Sequence, residues 1–413
     1  MRWARWAGLP GMLVTASVIG CTSREPPPNQ RPTLVLIGID GFRWDYVDRP
    51  QAPTFRAIAE AGVRAERMIP SFPSATFPNA YTLVTGLYPA HHGVIGNKMT
   101  DSTGHFSALD SASLSNPHWW GGEPIWTSAV KQGRRAIVIS WPGSRAAVPG
   151  GQPINEPRYA GKAPNEGRVR EVLRWLASSG PDHPDLIAMF IRDVDFAGHR
   201  HGPDSPQVDS AIAAVDAELA MLLDGIRSGG LASRVNLVLV ADHGMADLDP
   251  TRQIFLEDYL DLSQVEVREV SPIVAIAPKP GFEDQVFAAL SKAHPHLTAY
   301  RRDHLPPRWH FDGNPRIAPI IGVVDEGWLM LGRRPAAGAL GGDHGYDPEV
   351  TTMGALFLAM GPGFRRGVRV PPFRNIHVFP LLAQLLGIKA PSSDGSLDSV
   401  RSVLAAAPAD SGR

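Results

Sequence analysis

Leu34-Val-Leu-Ile-Gly-Ile39, running directly into Asp40-Gly41, is the stretch whose reading decides the fold. It is apolar without alternation, the pattern of a strand buried on both faces of a parallel sheet. Three more runs repeat it. Leu186-Ile-Ala-Met-Phe-Ile191 leads to Asp193 and Asp195, and Val235-Asn-Leu-Val-Leu-Val240 leads to Asp242-His243-Gly244. Ala355-Leu-Phe-Leu-Ala-Met360 ends at Gly361. Between them, Thr54 to Ala61, Val169 to Ala177 and Val208 to Ile226 carry apolar residues at helical spacing. Strands alternating with helices predict an α/β fold, a doubly wound, mostly parallel sheet. Ligands of such sheets bind outside the carboxyl ends of the strands, so Asp40, Asp195 and Asp242 are expected on one rim.

Composition narrows the chemistry. The chain has 413 residues, 43% of them apolar, enough for one large core with insertions. The net charge of -1 leaves no basic excess for a nucleic-acid backbone, so polymer binding is disfavoured. The sole cysteine is Cys21, which excludes an internal disulfide and any thiolate-based metal site. A bound metal would be held by His, Asp and Glu.

Arg2 and Arg5 precede an apolar run from Ala7 to Gly20, too short for a comfortable membrane span. This describes a secretory signal over residues 1–21, and Val18-Ile19-Gly20-Cys21 resembles a bacterial lipobox. The expectation is a lipid on Cys21 and an outer-membrane lipoprotein facing the periplasm, with a soluble periplasmic or secreted protein as the alternative. Membrane contact would then be through that lipid alone. Residues 22–32, with Pro26-Pro27-Pro28, read as an extended tether. Residues 33–390 read as a catalytic domain, with a small α+β insertion over about 250–340. Residues 391–413, rich in Ser and Ala, read as a loose tail.

Polar residues gather where the strands end. Asp195 and His199 are four apart, so one helical turn or a tight loop aims both at one ion. Asp242-His243-Gly244 and His344-Gly345 each pair a histidine with a glycine that permits an abrupt turn. Carboxylates and imidazoles without thiols suit zinc, with manganese as the alternative. Thr76 lies in Pro73-Ser74-Ala75-Thr76-Phe77-Pro78-Asn79, where Pro78 fits the first turn of a helix. A hydroxyl there meets the positive end of the helix dipole, and metal coordination can make it a nucleophile. Each element alone is commonly structural: a turn, a surface pair, an N-cap. Their joint placement at strand ends argues for a site. His91-His92 reads as structural for want of further partners.

In order, Asp40-Gly41, Thr76-Phe77-Pro78-Asn79, Gly93-x-x-x-Asn97, Asp195-x-x-Gly198-His199-x-x-Gly202-Pro203, Asp242-His243-Gly244 and His344-Gly345-Tyr346 resemble the nucleotide pyrophosphatase/phosphodiesterase family. This is a branch of the alkaline phosphatase superfamily. The resemblance spans about Leu34 to Ile388. One departure is Asp193-Val194-Asp195, where the family commonly has Glu-Pro-Asp. The resemblance implies an alkaline-phosphatase-like fold and two zinc ions. It assigns one ion to Asp40, Thr76, Asp242 and His243, and the other to Asp195, His199 and His344. It makes Thr76 the nucleophile and Asn97 the donor to a nonbridging phosphate oxygen. Asp343 is not used as a ligand, and Asp193 is expected to support the ligands. Phe77 and Tyr159 are expected to clamp the base of a small nucleotide, cleaved to a nucleoside 5′-monophosphate through a phosphothreonine. Zinc, Asn97 and N–H groups at the helix start are expected to hold the phosphate charge. The alternatives are a phospholipase C-like or phosphonate-cleaving relative, or a non-catalytic metal- or nucleotide-binding envelope lipoprotein. Oligomeric state is not legible.

Overall fold

The computed structural model describes residues 32–155, 164–334 and 341–406. Cys21 and Tyr159 lie outside them, as do the signal segment and nearly all of the tether. The main sheet has eight strands. Their order is Val368–Val370, Val63–Ala65, Phe357–Met360, Val235–Val240, Thr33–Ile39, Leu186–Ile191, Ala136–Ile139 and Ile154–Asn155. Thr33–Ile39 is central, parallel to Leu186–Ile191 on one side and Val235–Val240 on the other. Every residue of these three strands is buried, which explains their unbroken apolar sequence. Helices Asn165–Leu176 and Pro206–Ser228 add Val169, Val172, Val208, Ile212 and Leu222 to the same core.

The fourth apolar run departs from the expectation of a parallel strand. Phe357–Met360 is antiparallel to both neighbours, Val63–Ala65 and Val235–Val240. Burial on two faces makes a strand apolar in either direction, so the pattern carried no orientation. Its reversal places its start, not its end, at the rim where Asp40 and Asp242 lie: Ala241 N–H donates to Leu356 O, and Gly244 N–H to Met353 O.

Residues 265–324 form a four-stranded antiparallel sheet in the order Val265–Glu269, Ile273–Pro278, Ile320–Val324, Leu297–Arg301. Helix Glu283–Leu290 packs on it through Val286 and Leu290. A separate apolar cluster joins this subdomain to the main domain. In it Phe72 stacks on Trp309, with ring centroids 4.0 Å apart, beside Phe311, Ile317 and Ile321.

The expectation of a loose tail from 391 is corrected as far as residue 406. Leu397–Val403 is a 3-10 helix whose Val400 and Val403 are buried in the main core. Apolar residues spaced three apart fall on one side of a 3-10 helix, a signal too short to stand out in a Ser- and Ala-rich stretch.

Candidate active site

Asp40 directly follows the central strand, and its N–H donates to Ile191 O at 2.8 Å. Gly41 turns the chain with φ +66°, and a Cβ there would stand 3.0 Å from the Asp195 Cα. Asp242 and His243 follow the neighbouring strand. Gly41 N–H and His243 N–H both donate to Asp242 Oδ1, at 3.2 and 3.1 Å. Asp195 and His199 lie on helix Asp193–His201, one turn apart on the same face. His344 returns from the inserted subdomain.

These six side chains meet. His243 Nε2 lies 3.5 Å from Asp40 Oδ1 and 3.3 Å from Asp242 Oδ2. Asp195 Oδ1 lies 3.4 Å from His199 Nε2 and 3.5 Å from His344 Nε2. The rings of His243 and His344 stack at 3.5 Å and join the two halves. Thr76 begins helix Thr76–Thr85. Its Oγ1 is 3.1 Å from His243 Nε2 and 3.4 Å from Asp40 Oδ1.

The donor chemistry fits metal. Each of the three imidazoles gives its Nδ1 to a backbone carbonyl: His199 to Gly342 O, His243 to Gly244 O, His344 to Ser74 O, at 2.9–3.0 Å. That fixes the tautomer and turns every Nε2 lone pair inward, the arrangement that metal-ligating histidines adopt. Asp195 Oδ1 and Asp242 Oδ2 are buried without a hydrogen-bond donor among the described residues. Burial, then the charges of Asp195 and Asp242, hold the Asp40 carboxyl well above the usual range. Burial, with Asp195 beside it, pushes Asp242 up to about 7. Burial pushes His243 down to about 3, and burial with His243 alongside lowers His344 as well. The clustered carboxylates lose hydration and repel one another, which raises their affinity for protons, while the buried His243 and His344 imidazoles stay neutral. A divalent cation relieves both penalties.

Asp343 completes a further potential triad with His199 and His344. Its oxygens are already occupied: Oδ1 accepts from His344 N–H at 2.9 Å and Oδ2 from the Ser271 hydroxyl at 3.0 Å. It meets His199 only on the Nδ1 side, at 3.9 Å, so it positions His344. Asp193, expected to support the ligands, instead accepts from Asn165 Nδ2 at the surface. His92 is fully buried between the Thr82 hydroxyl and Val94 N–H, and His91 pairs with Asp394.

Asn97 Oδ1 accepts the Phe77 N–H at 3.0 Å, which leaves Nδ2 without a protein partner among the described residues. Since Pro78 has no N–H, the first helical turn offers fewer free donors than expected, and Asn97 relays its polarity. Phe77 is half-buried, its ring 6.0 Å from Phe106 and 6.2 Å from Trp120. It also lines, with Thr76, a cavity of about 570 Å³ that reaches Trp141, Ser144 and Arg192. Its ring thus packs against the main core and also faces this cavity.

Sequence reasoning gave no role to Asn79, Asn375 or the Ser74 carbonyl. Asn79 is fully buried; its Oδ1 accepts from Ser71 N–H and from Asn375 Nδ2, and its Nδ2 donates to Pro73 O. This network sets the loop that presents Thr76. An asparagine inside an apolar helical stretch was the available signal.

A family profile described as type I phosphodiesterase/nucleotide pyrophosphatase matches residues 34–347. Human ectonucleotide pyrophosphatase/phosphodiesterase family member 5 is 35% identical over 398 residues, 96% of this chain and 82% of that protein. The venom phosphodiesterase of Macrovipera lebetinus is 34% identical over 391 residues, 92% of this chain and 46% of that protein. The chain thus spans about half the length of that relative. The structure of murine member 5, solved as an inactive threonine-to-alanine variant in complex with AMP, superposes with a TM-score of 0.86. It is 34% identical and covers 91% of this chain and 100% of its own. With the fold, the motif order and the cluster of Asp and His side chains agreeing, this chain belongs to the type I phosphodiesterase/nucleotide pyrophosphatase family.

Proposed function

We propose that the protein hydrolyses phosphodiester and pyrophosphate bonds of small nucleotides, releasing nucleoside 5′-monophosphates through a phosphothreonine at Thr76. The observation that carries this is the Thr76 hydroxyl, 3.1 Å from His243 Nε2 at the edge of a buried Asp/His cluster. Two zinc ions, with manganese as the alternative, are the ions we assign, one to Asp40, Thr76, Asp242 and His243, the other to Asp195, His199 and His344. When bound they supply Lewis acidity that lowers the threonine pKa and steadies charge on the departing oxygen. Thr76 Oγ attacks phosphorus, the bond to the leaving oxygen breaks, and water then releases the monophosphate and restores Thr76. In this reading Asn97 Nδ2 donates to a nonbridging oxygen, and the Phe77 N–H held by Asn97 Oδ1 supports that orientation. A neutral amide there suits a singly charged diester. Phe77 supplies one stacking face for the base, and Tyr159 is proposed as the other. The inactivity of the murine threonine-to-alanine variant is the behaviour expected of a threonine nucleophile.

Purified zinc-loaded protein should turn over p-nitrophenyl thymidine 5′-phosphate and ATP more efficiently than a lysophospholipid. A preference for the lipid overturns the nucleotide assignment. We also propose that Cys21 carries lipid and tethers the domain to a bacterial envelope membrane. Mass spectrometry of the mature N-terminus tests this, and an unmodified start away from Cys21 refutes it.

A further inference from the structure

A cavity of about 360 Å³ lies between the inserted subdomain and the main domain. Asn97, His199 and His344 are among the residues that line it. Its walls are Ile273, Ala275 and Ile321 of the inserted sheet, facing Phe72, Phe311 and Ile317. Leu109, 94% exposed, also lines it. The other cavity, which opens from Thr76 and Phe77, shares only Ala108 with it. So the site has two pockets, one at the nucleophile and one at the histidines that Thr76 does not touch. In-line displacement at phosphorus expels the leaving oxygen on the side opposite the nucleophile.

We infer that the cleft between the two domains is the leaving-group pocket, and that it takes an uncharged organic group with apolar surface in preference to pyrophosphate. The inference rests on the phosphodiesterase reading above and adds to it which leaving group is favoured. Charge carries the second half. Three cations line the cleft, and each already faces a carboxylate. Lys98 Nζ is 3.9 Å from Glu269, Arg268 is 3.2 Å from Glu266, and Arg316 is 3.0 Å from Asp101. Asp343 adds a further carboxylate to the lining. Among the described residues each lysine and arginine that lines the cleft has a carboxylate at 3.9 Å or less, and of their nitrogens only Arg268 Nε is buried without a partner, so these side chains offer a polyanion little in return for its lost hydration. An aryl or alkyl group instead gains from covering the half-buried Ile95 and Ala275 and the exposed Leu109. In the step itself the Thr76 Oγ–P bond forms as the bond from phosphorus to the leaving oxygen breaks. The electron pair stays on that oxygen, which takes its proton from water.

The test uses zinc-loaded full-length protein and one nucleoside. The p-methylphenyl and p-hexylphenyl esters of thymidine 5′-phosphate have leaving phenols of nearly equal acidity, so their ratio of kcat/KM reads contact with the cleft. We expect the hexyl ester to be favoured by about tenfold or more. The p-nitrophenyl ester should likewise exceed thymidine triphosphate. Ala275→Lys places an unpaired cation in the cleft and should move the ester-to-triphosphate ratio toward the triphosphate by about threefold or more. Leu109→Ser, at an exposed position, should lower the hexyl-to-methyl ratio and gives a second readout if the lysine variant fails to fold. A hexyl-to-methyl ratio near one, or a wild-type preference for the triphosphate, overturns the inference while leaving the phosphodiesterase reading intact. No turnover of any of these substrates overturns both.

Discussion

The two groups of candidate ligand side chains are held differently. Asp40, Asp242 and His243 follow adjacent buried strands and are at most 2% exposed. Backbone N–H groups of Gly41 and His243 fix Asp242. Asp195 and His199 ride on one short helix, and His344 arrives from beyond the inserted subdomain. The His199 side chain is 38% exposed. Thr76, at the start of helix Thr76–Thr85, sits against the first group. The second group borders the cleft whose wall is the inserted sheet. One fold thereby combines a deeply buried group at the sheet rim with a more exposed group beside an open cleft.

Replacing the nucleophile gives the largest effect and tests the first group. Thr76→Ala should lower turnover of p-nitrophenyl thymidine 5′-phosphate by about 10⁴-fold or more. Bound metal should stay near the wild-type level, because Asp40, Asp242 and His243 remain. Retained full activity would remove Thr76 from its role. His344→Ala attacks the second group and should cost one of two ions per chain by metal analysis, with activity falling accordingly. Two tightly bound ions in that variant would reject the ligand assignment. Graded chelation of the wild type should empty one site before the other, the more exposed Asp195/His199/His344 group first. Simultaneous loss of both ions would erase the contrast. Asn97→Ala should reduce kcat by about 10²-fold, the usual cost of one donor to transition-state charge. A change confined to KM would make Asn97 a ground-state contact only. The smallest effect is expected at Phe77→Ala. It should lower the kcat/KM ratio of the nucleotide ester to bis-p-nitrophenyl phosphate by about tenfold. An unchanged ratio would leave Phe77 as core alone.

Some of this was readable directly because the chemistry is concentrated at strand ends. Asp40 and Asp242 follow apolar runs that can only be buried strands, and Asp195-x-x-x-His199 has a helical spacing. Other features left no trace. The direction of Phe357–Met360 is invisible because both orientations bury the same side chains. The carbonyls of Ser74, Gly244 and Gly342 aim the three histidines, but every residue carries a carbonyl. The pairing of Asn79 with Asn375 joins positions almost three hundred residues apart. Asp193 and Asp343 looked alike as acids beside ligands, yet one faces solvent and the other positions His344.

The sequence by itself determined the buried central strands, the acid and imidazole character of the site, and Thr76 as the candidate nucleophile. Unbroken hydrophobicity specifies burial locally, and acids after such runs are placed on the rim by the parallel topology. Only the tertiary structure decided which histidine nitrogen faces inward, how the first helical turn spends its N–H groups, and what lines the cleft beside His344. Each of these depends on groups brought together from distant segments, and the packing that joins them is a property of the folded whole.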